Sequence, residues 1–369
     1  MPESPAASAR SAMVSALRSL VEAESPSLDK SRCDATADRV GALLAERAGA
    51  TVTRHAVPDR GDHIEARLGD GRAPIVLLCH HDTVWDVGTL ARLPFAIDGN
   101  RVTGPGTYDM KAGIVQAAFA LEGSHPRHPV VVLSTSDEEI GSTSSRGLIE
   151  DVAHGATAVL VLEPAASGGA VKTARKGIAD FVLEIEGRAA HAGVEPEKGI
   201  SAVEELGRQI LALKALADPA RGTTINIGVV HGGTRPNVVA AHARAEIDVR
   251  FTQAAEADRV VHAVQALRPQ LDGARLRVSG GLDRPPMERS AGVAQLAALA
   301  TRLAKEMGFA LKETSTGGAS DGNFTAALGV PTLDGLGPDG GGAHADSEHF
   351  LIDSWLQRTD LLRRLIEAL

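Results

Sequence analysis

The sequence predicts a two-domain α/β protein in which a small α+β domain is inserted into a larger domain with a mostly parallel sheet. The chain has 369 residues, which is more than one hydrophobic core usually accommodates. Strand-like apolar runs alternate with helical segments over residues 1–175, as in parallel α/β sheets. The pattern then changes to long alternating strands, and helix–strand alternation resumes after residue 286.

The larger domain is expected to comprise residues 1–175 and 287–369. Its first 50 residues have apolar positions at helical spacing, and short strands follow at ATVTRHAV and HIEARL. The apolar runs PIVLLCH, PVVVLSTS and TAVLVLEP predict strands that are buried on both faces of a sheet. The helical segments KAGIVQAAFALEG and STSSRGLIEDVA lie between them, with the first helix starting near Asp109.

The inserted domain is expected at residues 176–286. Its elements begin with the long alternating strand GIADFVLEIEGRAAHA and the helix GISAVEELGRQILALKAL. The strands TTINIGVVHGG and NVVAAHARAEIDVRF, a helix and the strand ARLRVSGG complete the set. This order, β-α-β-β-α-β, is that of the ferredoxin-like split unit.

Composition excludes several classes of function. The net charge is −9 and there is no Lys/Arg cluster, so a nucleic-acid partner is not expected. No apolar run approaches the roughly 20 residues that cross a bilayer, so no membrane partner is expected. The N-terminal segment has no signal-peptide apolar region, which predicts a cytoplasmic protein. The two cysteines cannot form a disulfide framework.

Polar residues follow the predicted buried strands, at the edge where open α/β sheets place their sites. His80 and Asp82 come at the end of PIVLLCH and share one face of the strand. A carboxylate beside an imidazole suits a metal-binding histidine, although an exposed polar turn would have the same sequence.

Acidic residues occur in two further segments. Asp109 opens a helix after a Gly-rich turn, where a carboxylate can be a ligand or a simple N-cap. Asp137, Glu138 and Glu139 follow PVVVLSTS, and three adjacent acids repel one another unless cations or solvent relieve them. A solvated loop is therefore the alternative to a metal site.

Two more donors complete a candidate metal centre. Glu163 ends the strand AVLVLEP, and His344 lies in the Gly-rich segment GGGAHADSEHF. Imidazole and carboxylate groups are the ligands of catalytic zinc sites. Asp109 can bridge two metals, and Glu138, next to a ligand, suits a general base. The predicted metal ligands are His80, Asp109, Glu139, Glu163 and His344.

The segments HHDTV, GPGTYDMKAG, STSDEEIGS, LEP and GGGAHADSEHF resemble the M20 metallopeptidase family, in particular its glutamate carboxypeptidases of the carboxypeptidase G type. The resemblance extends from about residue 10 to the C-terminus. It implies a two-zinc catalytic domain interrupted by a lid domain that usually dimerises. The same donors also accept Co²⁺ or Mn²⁺ in place of the two Zn²⁺ ions.

The resemblance also implies roles for individual residues. His80 and Glu163 would bind one zinc, Glu139 and His344 the other, and Asp109 both. Asp82 would orient His80, Glu138 would be the base, and the Asp109–Met110 peptide would be cis. In the inserted domain, His191 would reach the partner subunit's site, and Arg250 with Asn237 would bind the substrate carboxylate. Weaker matches to substrate-binding positions are Arg175, Arg284, Gly317 and Gly318.

The expected reaction is hydrolysis of the amide bond to a C-terminal amino acid with a free carboxylate. A metal-bridging hydroxide would attack, with Glu138 as general base. The segment Ser320–Asn323 departs from the Thr-Asp-Ala of many relatives, which leaves the substrate side chain open. One alternative is an N-acyl-amino-acid deacylase of aminoacylase, acetylornithine deacetylase or desuccinylase type. Another is a metal-binding scaffold without catalysis.

Overall fold

The computed structural model describes residues 4–369, and it contains ten α-helices there. The helices are α1 Pro5–Ser8, α2 Arg10–Glu22, α3 Lys30–Ala48, α4 Ala112–Leu121, α5 Arg146–Ala153, α6 Ala202–Ala215, α7 Ala254–Gln265, α8 Ala291–Glu306, α9 Gly322–Ala327 and α10 Ile352–Ala368.

The strands form four sheets among the described residues. They are β1 Thr51–His55, β2 His63–Leu68, β3 Ile75–His80, β4 Ala96–Asp98, β5 Arg101–Thr103, β6 Val130–Thr135, β7 Ala158–Val161, β8 Val171–Arg175, β9 Gly177–Glu186, β10 Thr224–Gly232, β11 His242–Phe251, β12 Arg275–Arg284, β13 Glu313–Thr316, β14 Thr332–Leu333, β15 Gly340–Gly341 and β16 His349–Leu351.

The largest sheet is mixed and has the order β1-β2-β6-β3-β7-β14. Strands β6, β3, β7 and β14 run parallel to one another, whereas β1 and β2 pair antiparallel. The short connection between β1 and β2 accounts for their antiparallel pairing, because a parallel pair needs a long crossover. The fold is therefore mixed α/β, with parallel strands in its centre.

The central strands are buried on both faces. All residues of β3, β6 and β7 are buried. Alternate residues of β3 enter different cores: Leu77 packs in a core with Trp355 of α10, and Leu78 packs in a core with Phe324 of α9. Helices thus cover both faces, which leaves the strand ends as the places where polar side chains can converge.

The chain divides into two compact units. The larger unit contains residues up to Ala174, 289–316 and 320–369, and the smaller unit contains 175–288 and 317–319. The smaller unit has an antiparallel sheet with the order β10-β11-β9-β12, and its core contains apolar residues of α6 and α7. The predicted domain boundaries and the lid and dimerisation roles stay predictions.

Several element bounds differ from those predicted. The first 50 residues form separate helices, because a turn around Pro26 interrupts them. The strand from Gly177 ends at Glu186, and the next residue is Gly187, where a Cβ would lie 2.0 Å from the Ile200 carbonyl oxygen. Helix α4 begins at Ala112 and not at Asp109. No helix among residues 4–369 combines the length and the apolar character that a membrane span requires.

Candidate metal centre

Three neighbouring strands deliver polar residues to one edge of the mixed sheet. Strand β3 lies between β6 and β7, and the three run parallel. His80 is the last residue of β3, Glu138 and Glu139 follow β6, and Glu163 follows β7. Because parallel strands end at the same edge, residues that are distant in sequence converge there.

His80 and Asp82 are both buried, which excludes the exposed turn that the sequence allowed. His80 Nδ1 donates to the Asp82 carbonyl at 3.1 Å, so a neutral ring carries its proton on Nδ1 and leaves Nε2 available as a ligand. The Asp82 carboxylate lies 3.4 Å from the same Nδ1. It also accepts the backbone N–H groups of Glu138 at 3.3 Å and Glu139 at 3.2 Å.

Asp109 lies between two histidines. Its Oδ1 is 3.4 Å from His80 Nε2, and its Oδ2 is 3.4 Å from His344 Nε2. It does not cap α4, which has no side-chain cap hydrogen bond, so the N-cap alternative is excluded. The Asp109–Met110 peptide bond is cis, as the resemblance implied.

Each histidine also faces a glutamate. His80 Nε2 is 3.5 Å from Glu163 Oε1, and His344 Nε2 is 3.1 Å from Glu139 Oε2. Together with the Asp109 contacts, these distances define two groups of three donors that share Asp109. The structure thus brings together the five predicted ligands, although their binding of metal stays a prediction.

Glu138 lies next to the same cluster. One donor atom from each of His80, Glu138 and Glu163 can be chosen so that all lie within 4.8 Å of one another. The same holds for His80, Asp109 and Glu139. Glu138 is therefore close enough to the first group to act on a reacting atom there.

The donor spacing fits metal ions better than hydrogen bonds. His80 Nε2 and Glu139 Oε1 are buried without a hydrogen-bond partner among the described residues. Zinc–ligand bonds of about 2.0–2.1 Å place two tetrahedral ligands roughly 3.3 Å apart. The four contacts that the Nε2 atoms of His80 and His344 make with carboxylate oxygens measure 3.1–3.5 Å. The residues present fit a pair of divalent cations.

The carboxylates act strongly on both imidazoles. The carboxylates of Asp109 and Glu139, which face the His344 imidazole, raise the pKa of His344 to about 10. Burial opposes a charge on His80, but the carboxylates of Asp109, Asp82 and Glu163 outweigh it and raise the pKa of His80 well above its usual range. The site therefore favours positive charge, and a metal ion that binds there must displace these protons.

A hydrogen-bond chain anchors the segment that carries Glu138. Ser136 N donates to His63 Nδ1 at 3.2 Å, so the proton of the neutral ring is on Nε2, 3.2 Å from Ser144 Oγ. Ser144 Oγ donates in turn to Asp137 at 2.7 Å. Asp137 is fully buried, which excludes a solvated loop for this residue.

The hydrogen bonds that His63 and Asp321 make to the segment around Glu138 were not predicted from the sequence. Asp321 is buried and accepts hydrogen bonds from the hydroxyl groups of Thr135 and Ser142. It therefore links the start of α9 to the residues that flank Glu138. The available signals were the polar His63 in a strand and the Asp321 that matches the family's Thr-Asp-Ala pattern. The Ser320 side chain bonds Asp334 at 2.6 Å, so this part of the departing segment faces the core.

Within the smaller unit, His191 and Asn237 lie together. His191 pairs with Val238 in a β-bridge, and Ala192 N donates to the Asn237 carbonyl at 3.0 Å. The His191 and Asn237 side chains are exposed. Gly193 N donates to His191 Nδ1 at 3.2 Å, so the neutral ring keeps an Nε2–H that can donate to a ligand.

Arg250 lies at the other end of the same sheet. The segment of β11 between His242 and Arg250 spans about 26 Å at the strand rise of ~3.3 Å per residue. Pairing continues past His242 toward Asn237, because Val239 N donates to the Ala190 carbonyl at 3.0 Å. One small substrate cannot reach both Arg250 and Asn237 of one chain, and the substrate-binding roles of the two residues stay predictions.

The remaining predicted binding residues have contacts inside the smaller unit. Arg250 binds Asp248 with both carboxylate oxygens, at 3.0 and 2.8 Å from Nε. Arg284 is buried, and so is Arg175, whose Nη1 donates to the Gly318 and Ala319 carbonyls at 3.2 Å each. Gly317 and Gly318 are exposed, and an added Cβ would meet nothing within 4 Å at either position.

A mixed α/β sheet whose strand ends bring together five imidazole and carboxylate donors is typical of metal-dependent hydrolases. Residues 76–368 match Peptidase family M20/M25/M40, and the chain belongs to this family. Enzymes of the M20 family depend on a dinuclear metal centre, and the chain is a hydrolase of this family.

The chain is 31% identical to carboxypeptidase G2 of Pseudomonas sp. (strain RS-16) over 96% of this chain and 88% of that protein. It is 28% identical to succinyl-diaminopimelate desuccinylase of Dechloromonas aromatica, over 80% of this chain and 84% of that protein. The structure of aminopeptidase PepT from Bacillus cereus superposes with a TM-score of 0.78 at 22% identity, covering 96% of this chain and 97% of that one. The last similarity concerns the fold alone.

Proposed function

We propose that this protein is a two-metal carboxypeptidase that hydrolyses the amide bond to a C-terminal amino acid with a free carboxylate. The observation that carries the proposal is the position of Asp109, whose two oxygens face two different histidines at 3.4 Å each. Each histidine faces a further glutamate, so the cluster has one set of donors for each of two cations. Zinc suits these donors, and Co²⁺ or Mn²⁺ suits them as well.

His80, Asp109 and Glu163 would hold one cation, and Glu139, Asp109 and His344 the other. When bound, such ions polarise the amide carbonyl and lower the pKa of water. Glu138 is held close to them, because the Asp82 carboxylate binds its backbone N–H at 3.3 Å. Its carboxylate takes the proton from the attacking water and delivers it to the leaving amine.

A second subunit would complete the site. His191 has an Nε2–H that can stabilise the developing oxyanion. The Arg250 guanidinium suits a terminal carboxylate, because its planar fork pairs with both oxygens. Since these two residues lie at opposite ends of one sheet, one of them would come from each subunit of a homodimer. The edge strand β10 has exposed Val229 and Val230, as expected of a strand that pairs with a copy of itself.

The second candidate is an N-acyl-amino-acid deacylase with the same residues in the same roles. The 28% identity to a succinyl-diaminopimelate desuccinylase over 80% of the chain favours it. Both reactions cut an amide bond next to a free carboxylate. They differ in the acyl group, which the donor cluster does not determine.

The first test combines metal content with a substrate panel. Purified protein is expected to hold two metal ions per chain and to lose hydrolysis after chelation, with recovery on adding Zn²⁺, Co²⁺ or Mn²⁺. The panel contains N-acylated glutamates with aromatic acyl groups, N-acetyl and N-succinyl amino acids, and dipeptides. Preference for the first set supports the carboxypeptidase, and preference for the second supports the deacylase. Activity that survives complete metal removal would contradict both.

A further inference from the structure

The segment that carries His344 also contains a buried acid, Glu348, which the mechanism above does not use. Its side chain is fully buried although the neighbouring residues 343–347 are exposed. A buried carboxylate is costly unless its oxygens are hydrogen-bonded. Its hydrogen bonds therefore indicate what it does.

Glu348 binds four N–H groups of the larger unit. Its Oε1 accepts from Tyr108 N at 2.9 Å and Asp109 N at 3.2 Å. Its Oε2 accepts from Gly106 N at 3.0 Å and from the indole Nε1 of Trp85 at 2.7 Å. Each of these groups can only donate, so both oxygens of the Glu348 carboxyl group act as hydrogen-bond acceptors.

The loop that Glu348 binds has irregular backbone geometry. Gly106 has a φ of +67°, and a Cβ there would lie 2.5 Å from Thr83 Cγ2. Asp109 and Met110 have non-helical φ and ψ angles just before α4. Because regular helical geometry is interrupted at Asp109 and Met110, the N–H groups of Gly106, Tyr108 and Asp109 take the Glu348 carboxylate as their acceptor.

The other end of the interaction is the turn that carries His344. Glu348 N donates to the Ala345 carbonyl at 2.8 Å, and Ala345 N donates to the Gly342 carbonyl at 2.9 Å. One carboxylate thus joins the turn of His344 to the loop of Asp109, whose side chains lie 3.4 Å apart.

We infer that Glu348 is a positioning residue that fixes the backbone of Asp109, so that one carboxylate faces both His80 and His344. This inference rests on the proposed function, in which Asp109 binds both metal ions. This role requires that both carboxylate oxygens of Glu348 accept hydrogen bonds. Glutamine has nearly the same size, but its amide nitrogen would place a donor against the donors of the loop.

The test measures Zn²⁺ affinity in Glu348→Gln by competition with a chelator, together with the melting temperature and kcat and KM. Groups that orient metal ligands typically contribute about 10–100-fold to metal affinity or activity. We expect a fall in Zn²⁺ affinity of this size and a lower kcat. An unchanged Zn²⁺ affinity would overturn the inference.

Glu205→Gln is the matched control. Glu205 is also fully buried and accepts two backbone N–H groups, from Gln270 and Leu271, but it lies in the smaller unit. It is expected to lower the melting temperature and to leave Zn²⁺ affinity unchanged. Equal loss of affinity in both variants would show a general effect of instability and contradict a positioning role.

A second variant decides the question if Glu348→Gln does not fold. Trp85→Phe removes one of the four donors and keeps the carboxylate, so a smaller but measurable fall in Zn²⁺ affinity is expected. Wild-type affinity in this variant would then overturn the inference. Measurements on the wild type separate the two proposals. If the wild type binds two Zn²⁺ ions but hydrolyses no amide, the proposed function is wrong. The positioning role of Glu348 is then still tested by the Zn²⁺ affinities of the variants.

Discussion

The metal centre of the larger unit and the predicted binding residues of the smaller unit are constructed differently. His80 and Asp82 are buried. The Asp82 carboxylate accepts three hydrogen bonds, from Ser27, Glu138 and Glu139. In contrast, His191 and Asn237 are exposed, and their described hydrogen bonds are made with neighbouring backbone. His80 and Asp82 are therefore held inside the larger unit, whereas the predicted recognition residues His191 and Asn237 are accessible to another molecule.

Under the proposed function, this difference separates metal binding in the larger unit from substrate binding in the smaller unit. Metal ligands must be positioned to within a fraction of an ångström, which strand ends in a packed sheet achieve. Residues that bind a substrate must stay accessible to it. We expect changes in the larger unit to alter metal binding or the chemical step, and changes in the smaller unit to alter activity without changing metal content.

The largest expected effect is that of Glu138→Gln. The variant keeps all five metal ligands but cannot accept a proton, so kcat should fall by about 10³-fold or more, near the upper range for general bases. Metal content should match the wild type by elemental analysis. Glu306→Gln, on the exposed face of α8, is the control. Near-normal turnover in Glu138→Gln would exclude Glu138 as the base.

His191→Ala should give the next largest effect. Loss of one oxyanion donor typically costs about 10²–10³-fold in kcat. Metal content should not change, because His191 lies in the smaller unit. His262→Ala, at another exposed histidine of this unit, should leave kcat unchanged. Unchanged kinetics in His191→Ala would remove His191 from the site.

Mixing these two inactive variants tests the shared site directly. A heterodimer of Glu138→Gln and His191→Ala has one site with both wild-type residues only if His191 acts in the partner's site. Random exchange of subunits would then restore about a quarter of wild-type activity. No recovery, despite proven subunit exchange, would contradict the composite site.

Asp82→Asn should have an intermediate effect on metal binding and turnover. The amide has one oxygen instead of two, so it cannot accept from Ser27, Glu138 and Glu139 while lying beside His80. Zn²⁺ affinity and kcat should each fall by about 10–100-fold. Asp180→Asn, on a strand of the smaller unit, serves as the comparison. A Zn²⁺ affinity equal to that of the wild type would show that Asp82 does not orient the ligands.

The smallest effect concerns the stability of metal-free protein. The pKa of His344 is raised from 6.5 to about 10, so its contribution is fully present below pH 6.5 and is lost as the pH rises toward 10. His344 is half exposed, and solvent screening limits the effect to a few degrees in Tm at most. Calorimetry should show a smaller decline between pH 6.5 and 10 in His344→Asn than in the wild type, because the contribution of His80, whose pKa is also raised, remains in the variant. An identical decline in both would assign it to other groups.

Much of the site could be predicted because the sequence places it after recognisable strands. The apolar runs before His80, Glu138 and Glu163 indicate buried neighbouring strands, and parallel strands bring their ends together. The roles of His63, Asp321 and Glu348 could not be predicted in this way. Each acts by hydrogen bonds to segments more than 70 residues away, such as the bond from Tyr108 N to Glu348.

The sequence by itself determined the family, the alternation of buried strands and helices, and the residue types at the strand ends. These follow from local patterns, since burial and secondary structure depend on the spacing of apolar residues. The tertiary structure alone decided that Asp109 faces two histidines and that Arg250 lies far from Asn237. Such relations depend on which strands are neighbours and in which register, and no local pattern specifies that.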